Sequence, residues 1–328
     1  MNNYQFNFGQ KKKKNNRNII VFCNEDIIAN VTLNFLLPCL TKRQFKVHIF
    51  LSQKISRKEE DKIEKLSKFN FLTKNYISQI IFPCIERNLD SNKCHLMTFN
   101  QLSREYGCQL YRIKSTKKKE EREKIIAIYQ ENKPYISLSV RNNLIISSEV
   151  IKVASRYGVG KIVNVHSSKL PERAGMWCAL RDMTEGKYLY GTLHIVEEGI
   201  DTGSIIETYS LDIERKNSYL KNLCLIYKKG VQIFLKHIDE FAEVNYFSCS
   251  IKQDIGKRTY YHTPTTQEIN NMENLGIQLF SYLEFYEILE YYSLEKKVEV
   301  LNPYRALSST NSINDNSKAE FRNRPRCF

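Results

Sequence analysis

Three side chains in the middle of the sequence have the types and the spacing that acyl transfer requires. Asn164 and His166 stand two residues apart, at the end of an apolar run that reads as a strand. Alternate residues of a strand point to the same face, so this amide and this imidazole can converge on one small ligand. Asp201 follows in a polar turn between two strand-like runs, flanked by Gly199 and Gly203. An amide and a protonated imidazole can hold the oxyanion of an acyl-transfer intermediate, while a carboxylate orients the imidazole and helps the proton leave an attacking amine.

The same residues also fit purely structural roles. A histidine at the end of a strand is commonly a hydrogen-bonding structural residue, and an aspartate before Thr-Gly is a common turn former. His194, between Leu193 and Ile195 on another expected strand, reads as a buried histidine that supports the site at most. Residue types and spacing therefore leave both interpretations open.

The elements that would carry these residues alternate between strands and helices. A strand, an apolar helix and a second strand open the chain, and this βαβ pattern indicates a parallel sheet. Asn164 and His166 then fall at the carboxyl end of a strand, where open α/β sheets bind their ligands. We expect an α/β fold with a doubly wound, mostly parallel, Rossmann-like sheet. The expected strands are 18–23, 45–51, 135–140, 161–165 and 190–196, and the expected helices are 26–40, 56–69, 98–106, 116–130, 146–157, 177–184 and 220–242.

Four segments follow from this reading of the chain. Residues 1–17 are expected to form a disordered basic tail, 18–245 the main α/β domain, 246–302 a small C-terminal subdomain, and 303–328 a second disordered tail. The sequence Asn-Glu-Asp follows the first strand, where a Gly-rich phosphate loop would begin. We therefore do not expect a dinucleotide site of the usual kind.

The net charge of +14 suggests a nucleic-acid partner, but its distribution along the chain does not. Eight of the excess positive charges lie in residues 1–17 and 303–328, and four more lie between Arg112 and Lys124. The rest of the chain is close to neutral, so we do not expect nucleic acid as a partner. With 42% hydrophobic and 26% charged residues, the composition is that of a globular protein, which excludes a fibrous repeat or a wholly disordered chain.

Signals for membrane insertion, metal binding and disulfides are weak along the chain. The longest apolar run, 27–40, is broken by Asn30, Asn34 and Pro38 and falls short of the roughly 20 residues of a membrane span. The nine cysteines form no C-x-x-C pair, which is typical of reduced thiols and of neither a disulfide framework nor a zinc site. We therefore expect a cytoplasmic protein with no membrane span and no bound metal.

A longer pattern around the three polar residues resembles the folate-dependent formyltransferase superfamily. That superfamily has an N-x-H followed by S-x-L-P and a glycine, and later an I/V-D-x-G. The matching residues here are Asn164, His166, Ser168, Leu170-Pro171, Gly175 and Ile200-Asp201-Thr202-Gly203. The resemblance implies that Asn164 and His166 polarise a formyl group, that Asp201 completes a catalytic triad, and that 10-formyltetrahydrofolate is the cofactor.

Two further matches favour the sugar N-formyltransferases within that superfamily. Arg141 is followed by Asn142-Asn143, where those enzymes usually have an aromatic residue and a glycine; asparagine tolerates left-handed backbone angles better than most residues. The segment 259–265 resembles the Tyr-x-x-Pro-Thr element that follows their catalytic domain, and we expect no barrel domain of the methionyl-tRNA formyltransferase type. The resemblance implies cofactor contacts by Arg141, Leu144, Ile145, Ile146, Val196 and Asp201. Arg141 fits a structural ion pair with an acid equally well.

The resemblance predicts an enzyme of one-carbon metabolism that moves a formyl group from 10-formyltetrahydrofolate to a primary amine. The expected acceptor is a nucleotide-linked 4-amino-4-deoxy sugar, and a homodimer is expected as the habit of the family. Three alternatives remain open. The acceptor could be methionyl-tRNA, with the basic segments as an RNA surface; the chain could be a catalytically silent folate-binding protein; or water could replace the amine in a formyl-folate hydrolase.

Overall fold

The computed structural model describes residues 17–54, 58–88, 95–241 and 246–292. Its centre is a seven-stranded sheet. The nine strands of these ranges are β1 Asn18–Asn24, β2 Lys46–Ser52, β3 Gln109–Ile113, β4 Ile136–Val140, β5 Ile162–His166, β6 Ala174–Gly175, β7 Tyr188–Ile195, β8 Ile205–Asp212 and β9 Tyr260–Tyr261. The large sheet has the order β3-β2-β1-β4-β5-β7-β8; β7 is antiparallel to both of its neighbours, β5 and β8, and all other pairs in this sheet are parallel. The expected α/β fold with a mostly parallel sheet is confirmed.

Helices cover both faces of this sheet. They are α1 Ile27–Lys42, α2 Lys58–Asp61, α3 Glu64–Asn70, a π-helix Phe71–Ile81, α4 Phe82–Asn88, α5 Phe99–Tyr106, α6 Lys119–Asn132, α7 Ser148–Ala154, α8 Cys178–Glu185, α9 Tyr219–His237, α10 Thr266–Asn274 and α11 Tyr282–Glu290. Within the described ranges, none of the helices has the length and apolarity needed to cross a membrane.

β1 shows how the sequence builds a sheet that is buried on both faces. All of its residues are buried, and successive side chains point to opposite faces. Ile19 and Val21 belong to the core beneath α1 and α9, whereas Ile20 and Phe22 belong to the core beneath α6 and α7. A strand buried on both sides needs a nearly continuous apolar run, which is the pattern that predicted β1.

Among the stretches that differ from the sequence prediction are β3 and residues 58–81. β3 was not predicted, because this short edge strand contains two polar residues and only half-buried apolar ones before Ile113. The single helix expected over 56–69 is divided into α2 and α3 in its described part, and the chain then continues as an eleven-residue π-helix. The i to i+5 hydrogen bonds of a π-helix do not follow the 3.6-residue period by which helices are predicted.

Residues 246–292 pack against the same core as α1 and α9. Ile269 and Met272 of α10 and Phe285 and Ile288 of α11 are all buried in it. β9 pairs with β6, next to the turn that carries Asp201. The boundary expected at residue 245 stays a prediction, and the tails expected at 1–17 and 303–328 lie outside the described residues, apart from Arg17.

Candidate active site

The candidate site is a cleft at the carboxyl ends of the central strands. The strand order reverses between β1 and β4, since β1 pairs with β2 on its other side. In open α/β sheets the connections diverge at such a point and leave a crevice for a ligand. A cleft opens here. Its lining includes all of the residues predicted for the site, namely Arg141, Leu144, Ile145, Ile146, Asn164, His166, Val196 and Asp201.

Asn164 is oriented by His194, its direct partner across the β5–β7 pairing. His194 Nδ1 lies 2.9 Å from the carbonyl oxygen of Ile195, which can only accept, so Nδ1 carries the proton. In the neutral ring Nε2 is then an acceptor, and it lies 3.0 Å from Asn164 Nδ2. This bond uses one N–H of the Asn164 amide and leaves the second N–H for a ligand in the cleft.

His166 is held by a backbone carbonyl on its other side. Its Nε2 lies 2.7 Å from the carbonyl oxygen of Arg173, so Nε2 donates this hydrogen bond. Its Nδ1 lies 3.7 Å from Asp201 Oδ2. The ring therefore has one fixed nitrogen and one nitrogen that can exchange a proton beside a carboxylate.

The carboxylate of Asp201 lies between two imidazoles. Its Oδ1 is 3.7 Å from His194 Nε2, and its Oδ2 accepts a 2.9 Å hydrogen bond from the backbone N–H of Gly175. Asp201 itself has a φ of 53°, in the left-handed region. Aspartate enters this region more readily than most residues, which fits its place in a tight turn.

Burial keeps His194 neutral at physiological pH. The side chain is almost completely buried. Burial lowers the pKa of His194 from 6.5 to about 4 and outweighs the opposing effect of Asp201; His166 lowers the pKa further. The neutral form is also the one that can accept the hydrogen bond from Asn164.

A buried acid supports the loop that follows His166. Asp182 Oδ2 accepts hydrogen bonds from Ser168 Oγ at 2.9 Å and from the backbone N–H of Tyr190 at 3.2 Å, and Asp182 Oδ1 lies 3.2 Å from Arg173 Nε. Burial raises the pKa of Asp182 to about 6 despite these partners. Because Arg173 also supplies the carbonyl that holds His166, this network fixes both ends of one loop.

Arg141 forms a buried ion pair, which is one of the two roles that the sequence left open for it. Its Nε lies 3.0 Å from Asp26 Oδ2, at the N-cap of α1, while Asp26 Oδ1 caps the helix through the N–H of Ala29. Arg141 also has the positive φ of this loop, 48°, whereas Asn142 and Asn143 have negative values. The left-handed residue is therefore Arg141, one position before the two asparagines.

The two asparagines close the loop through their own hydrogen bonds. The Asn142 side chain bonds both the N–H and the C=O of Leu144, each at 3.1 Å, and the backbone N–H of Asn143 donates to Asn24 Oδ1 at 3.0 Å. The C=O of Ile145 accepts from the Thr116 hydroxyl. These bonds fix the loop 142–146 without the glycine that the related enzymes usually have.

The sequence did not predict several of the residues that line the cleft. Lys74 of the π-helix is buried at the cleft, and burial lowers its pKa to about 8. Trp177, the single tryptophan of the chain, stacks on Tyr219 and donates from Nε1 to Glu60 at 2.9 Å. Their positions depend on long-range packing, for which the local sequence has no motif. In the described ranges no cluster of three or more His, Cys, Asp or Glu residues could hold a metal ion.

The fold and the cleft together define an α/β protein in which an amide, an imidazole and a carboxylate meet at the carboxyl ends of the central strands. Residues 87–224 match the family model described as Formyl transferase, and this stretch contains Asn164, His166 and Asp201. Residues 87–224 thus carry a formyltransferase domain, in agreement with the family that the motifs predicted. No curated protein matches the chain in sequence.

The chain is also similar to several solved structures at low sequence identity. An N-formyltransferase from Helicobacter canadensis, solved in complex with folinic acid and dTDP-3-aminofucose, is 18% identical; the alignment covers 78% of each chain with a TM-score of 0.45. A 4-N formyltransferase from Francisella tularensis is 13% identical over 78% of this chain and 86% of that one, with a TM-score of 0.46. Glycinamide ribonucleotide transformylase 1 from Symbiobacterium toebii is 13% identical over 72% of this chain and 94% of that one, with a TM-score of 0.46.

Proposed function

We propose that this protein transfers a formyl group from 10-formyltetrahydrofolate to the primary amine of a nucleotide-linked 4-amino-4-deoxy sugar. The observation that carries the proposal is the convergence of the Asn164 amide, the His166 imidazole and the Asp201 carboxylate in one cleft. Formyl transfer to an amine needs these groups: donors for a developing oxyanion and a base for the proton that the amine loses.

The walls of the cleft fit a flat, partly apolar donor. Ile145 and Ile200 both line the cleft and are both exposed, at 41% and 39%. Exposed apolar side chains at the rim of a cleft are typical of a ligand-binding surface. Leu144, Ile146 and Val196 also line the cleft. In this proposal they hold the folate, while Arg141, paired with Asp26, keeps the loop 142–146 in place.

The donor supplies the formyl group: its C–N bond breaks as a new C–N bond forms to the acceptor, and the proton lost by the amine ends on the tetrahydrofolate nitrogen. Asn164 donates its second amide N–H to the formyl oxygen as negative charge develops there. His166 donates a second hydrogen bond from a protonated Nδ1, whose charge Asp201 balances at 3.7 Å. Asp201 then takes or relays the proton that leaves the amine.

The acceptor is proposed from the resemblance of the segment 259–265 to sugar N-formyltransferases. Tyr260 of this segment lines the cleft, which supports a role for it beside the acceptor. Residues 246–292 contain one two-residue strand and helices rather than the strands of a barrel. The chain outside its basic segments is nearly neutral, which also favours a small-molecule acceptor over an RNA.

The test is to incubate the purified full-length chain with 10-formyltetrahydrofolate and a panel of nucleotide-linked amino sugars, with mass spectrometry to detect the formylated product. We expect turnover with at least one 4-amino-4-deoxy sugar. Formylation of methionyl-tRNA instead, formate release without an acceptor, or folate binding without turnover on any amine would each contradict the proposal.

The same assay tests the roles of the three residues. Asn164→Ala, His166→Ala and Asp201→Ala are each expected to lower kcat by about a hundredfold or more, as loss of an oxyanion donor or base does in other enzymes. His95→Ala, which removes an exposed imidazole, serves as the control and should keep wild-type turnover. Near wild-type turnover in all three site variants would refute the assigned roles.

A further inference from the structure

The turn that carries Asp201 is held from behind by a side chain 52 residues later in the chain. Gln253 Nε2 lies 3.0 Å from the carbonyl oxygen of Asp201 and 2.7 Å from that of Gly203. A primary amide nitrogen has two hydrogens, so one side chain satisfies both carbonyls. In the described part of the chain, Gln253 Oε1 has no hydrogen-bond partner. Within this part of the chain, the Gln253 side chain therefore forms hydrogen bonds to the Asp201 turn alone.

The same C-terminal segment also fixes the partner of the Asp201 carboxylate. Gly175, whose N–H donates to Asp201 Oδ2, lies on β6 and pairs with Tyr261 of β9. Gly175 has a φ of 102°, and a Cβ there would lie 2.2 Å from the carbonyl oxygen of Tyr261, so this close pairing requires glycine. Arg258 adds a 2.9 Å bond to the carbonyl of Ile200. The segment 251–261 thus contacts the backbone of the Asp201 turn. It also contacts Gly175, whose N–H binds the Asp201 carboxylate.

The turn needs such a support because its backbone is unusual. Asp201 has a left-handed φ, which an L-residue with a side chain adopts at an energetic cost. Gly203 packs so closely on the preceding strand that a Cβ would lie 1.9 Å from the carbonyl oxygen of Ile195. If the turn relaxed, the Asp201 carboxylate would move from its positions 3.7 Å from His166 Nδ1 and from His194 Nε2.

We propose that Gln253 is a positioning residue that holds Asp201 in its working conformation. Its two hydrogen bonds fix the backbone of the turn, and the turn fixes the carboxylate beside His166. The small segment after the main α/β domain is then part of the catalytic machinery. This inference rests on the proposed function, since the effect on turnover is an effect on formyl transfer.

The test compares Gln253→Leu, which removes both donors, and Gln253→Glu, which sets a carboxylate against two carbonyl oxygens. Both should lower kcat by about ten- to a hundredfold, the range expected for a misplaced catalytic group, with KM for either substrate changed less than twofold. Gln278→Leu is the matched control, because Gln278 is in the same part of the chain and exposed. It should keep wild-type kcat.

Two further measurements separate positioning from a general loss of structure. Hydrogen exchange at the Gly175 amide should be faster in both Gln253 variants, because its acceptor has moved, while exchange in β1 stays at the wild-type rate. In an Asp201→Asn background, Gln253→Leu should have little further effect on kcat, since it acts through Asp201. Gln253→Asn, one methylene shorter, provides a milder variant if Gln253→Leu does not fold.

The possible outcomes distinguish this inference from the proposed function. Unchanged Gly175 exchange and wild-type kcat in the Gln253 variants, or full additivity with Asp201→Asn, would overturn the positioning role. Absence of formyl transfer in the wild-type protein would overturn the proposed function instead. In that case the Gly175 exchange still decides whether Gln253 holds the Asp201 turn.

Discussion

We predict that His194 makes the folded protein less stable as the pH falls below neutrality. Its imidazole is 2% exposed, and burial lowers its pKa from 6.5 to about 4. Between these two values the unfolded chain binds a proton at this residue and the folded chain does not. Protonation therefore favours unfolding, and the stability contributed by the neutral imidazole is lost as the pH falls from about 6.5 towards 4.

The size of this effect follows from the shift in pKa. Each unit corresponds to about 1.4 kcal/mol, so the shift of His194 corresponds to roughly 3 kcal/mol in the limit of low pH. At pH 4.5, just above the folded-state pKa, most of this is already lost. Against a total stability of about 5–15 kcal/mol for a typical domain, such a loss is measurable.

The assay is urea unfolding at pH 7 and at pH 4.5 for the wild type and His194→Gln. Glutamine does not titrate, and its amide oxygen can still accept from Asn164. The loss of unfolding free energy between the two pH values should be about 2–3 kcal/mol smaller in the variant. His95→Gln, at an exposed position, is the control and should keep the wild-type pH dependence. Equal losses in the wild type and His194→Gln would refute a neutral buried His194.

Three more outcomes are expected from other parts of the structure. Gly203→Ala should lower stability by about 1–3 kcal/mol and reduce formyl transfer, because the new Cβ would lie 1.9 Å from the Ile195 carbonyl oxygen; thermal unfolding and the transfer assay check this. Arg173→Met should lower the free energy of unfolding by about 3 kcal/mol at pH 7.5, because it removes the ion-pair partner of the buried Asp182 carboxylate. The loss should be smaller at pH 5, where Asp182, with its pKa raised to about 6 by burial, is neutral. Equal losses at both pH values would contradict this prediction. Tyr129→Phe should cost about 1–2 kcal/mol, since the buried hydroxyl bonds the Ser137 hydroxyl at the amino end of β4, and should leave kcat unchanged because the cleft lies at the other end.

The parts of the fold that local rules determine were predictable from the sequence. β1 contains a short apolar run, and its burial on both faces of a parallel sheet is what such a run indicates. α5 begins after Thr98, which forms a capping box, and ends before Gly107, whose φ is 63°; both ends are set by local rules. Asn164 and His166 were placed on one face because alternate residues of a strand share a face.

The parts that long-range packing determines were not predictable. Gln253 bonds two backbone carbonyls, and a carbonyl has no signature in the sequence. Lys74 reaches the cleft through the packing of the π-helix against α1, and its buried ammonium would be expected on the surface from its type alone. Arg141 could be assigned to a ligand or to an ion pair until the structure brought Asp26 to its guanidinium.

Two histidines lie beside Asp201, and their difference in environment determines which of them the carboxylate acts on in the proposed mechanism. Oxygens of Asp201 lie 3.7 Å from a nitrogen of His166 and 3.7 Å from a nitrogen of His194, so geometry alone does not choose between them. Because burial lowers the pKa of His194 to about 4, that ring carries no charge at neutral pH and binds Asn164 instead. In the proposed mechanism, the Asp201 carboxylate then acts together with His166. Because it is buried and neutral, His194 thus orients the Asn164 amide and does not compete with His166 for the Asp201 carboxylate. The proposed formyl transfer requires both conditions.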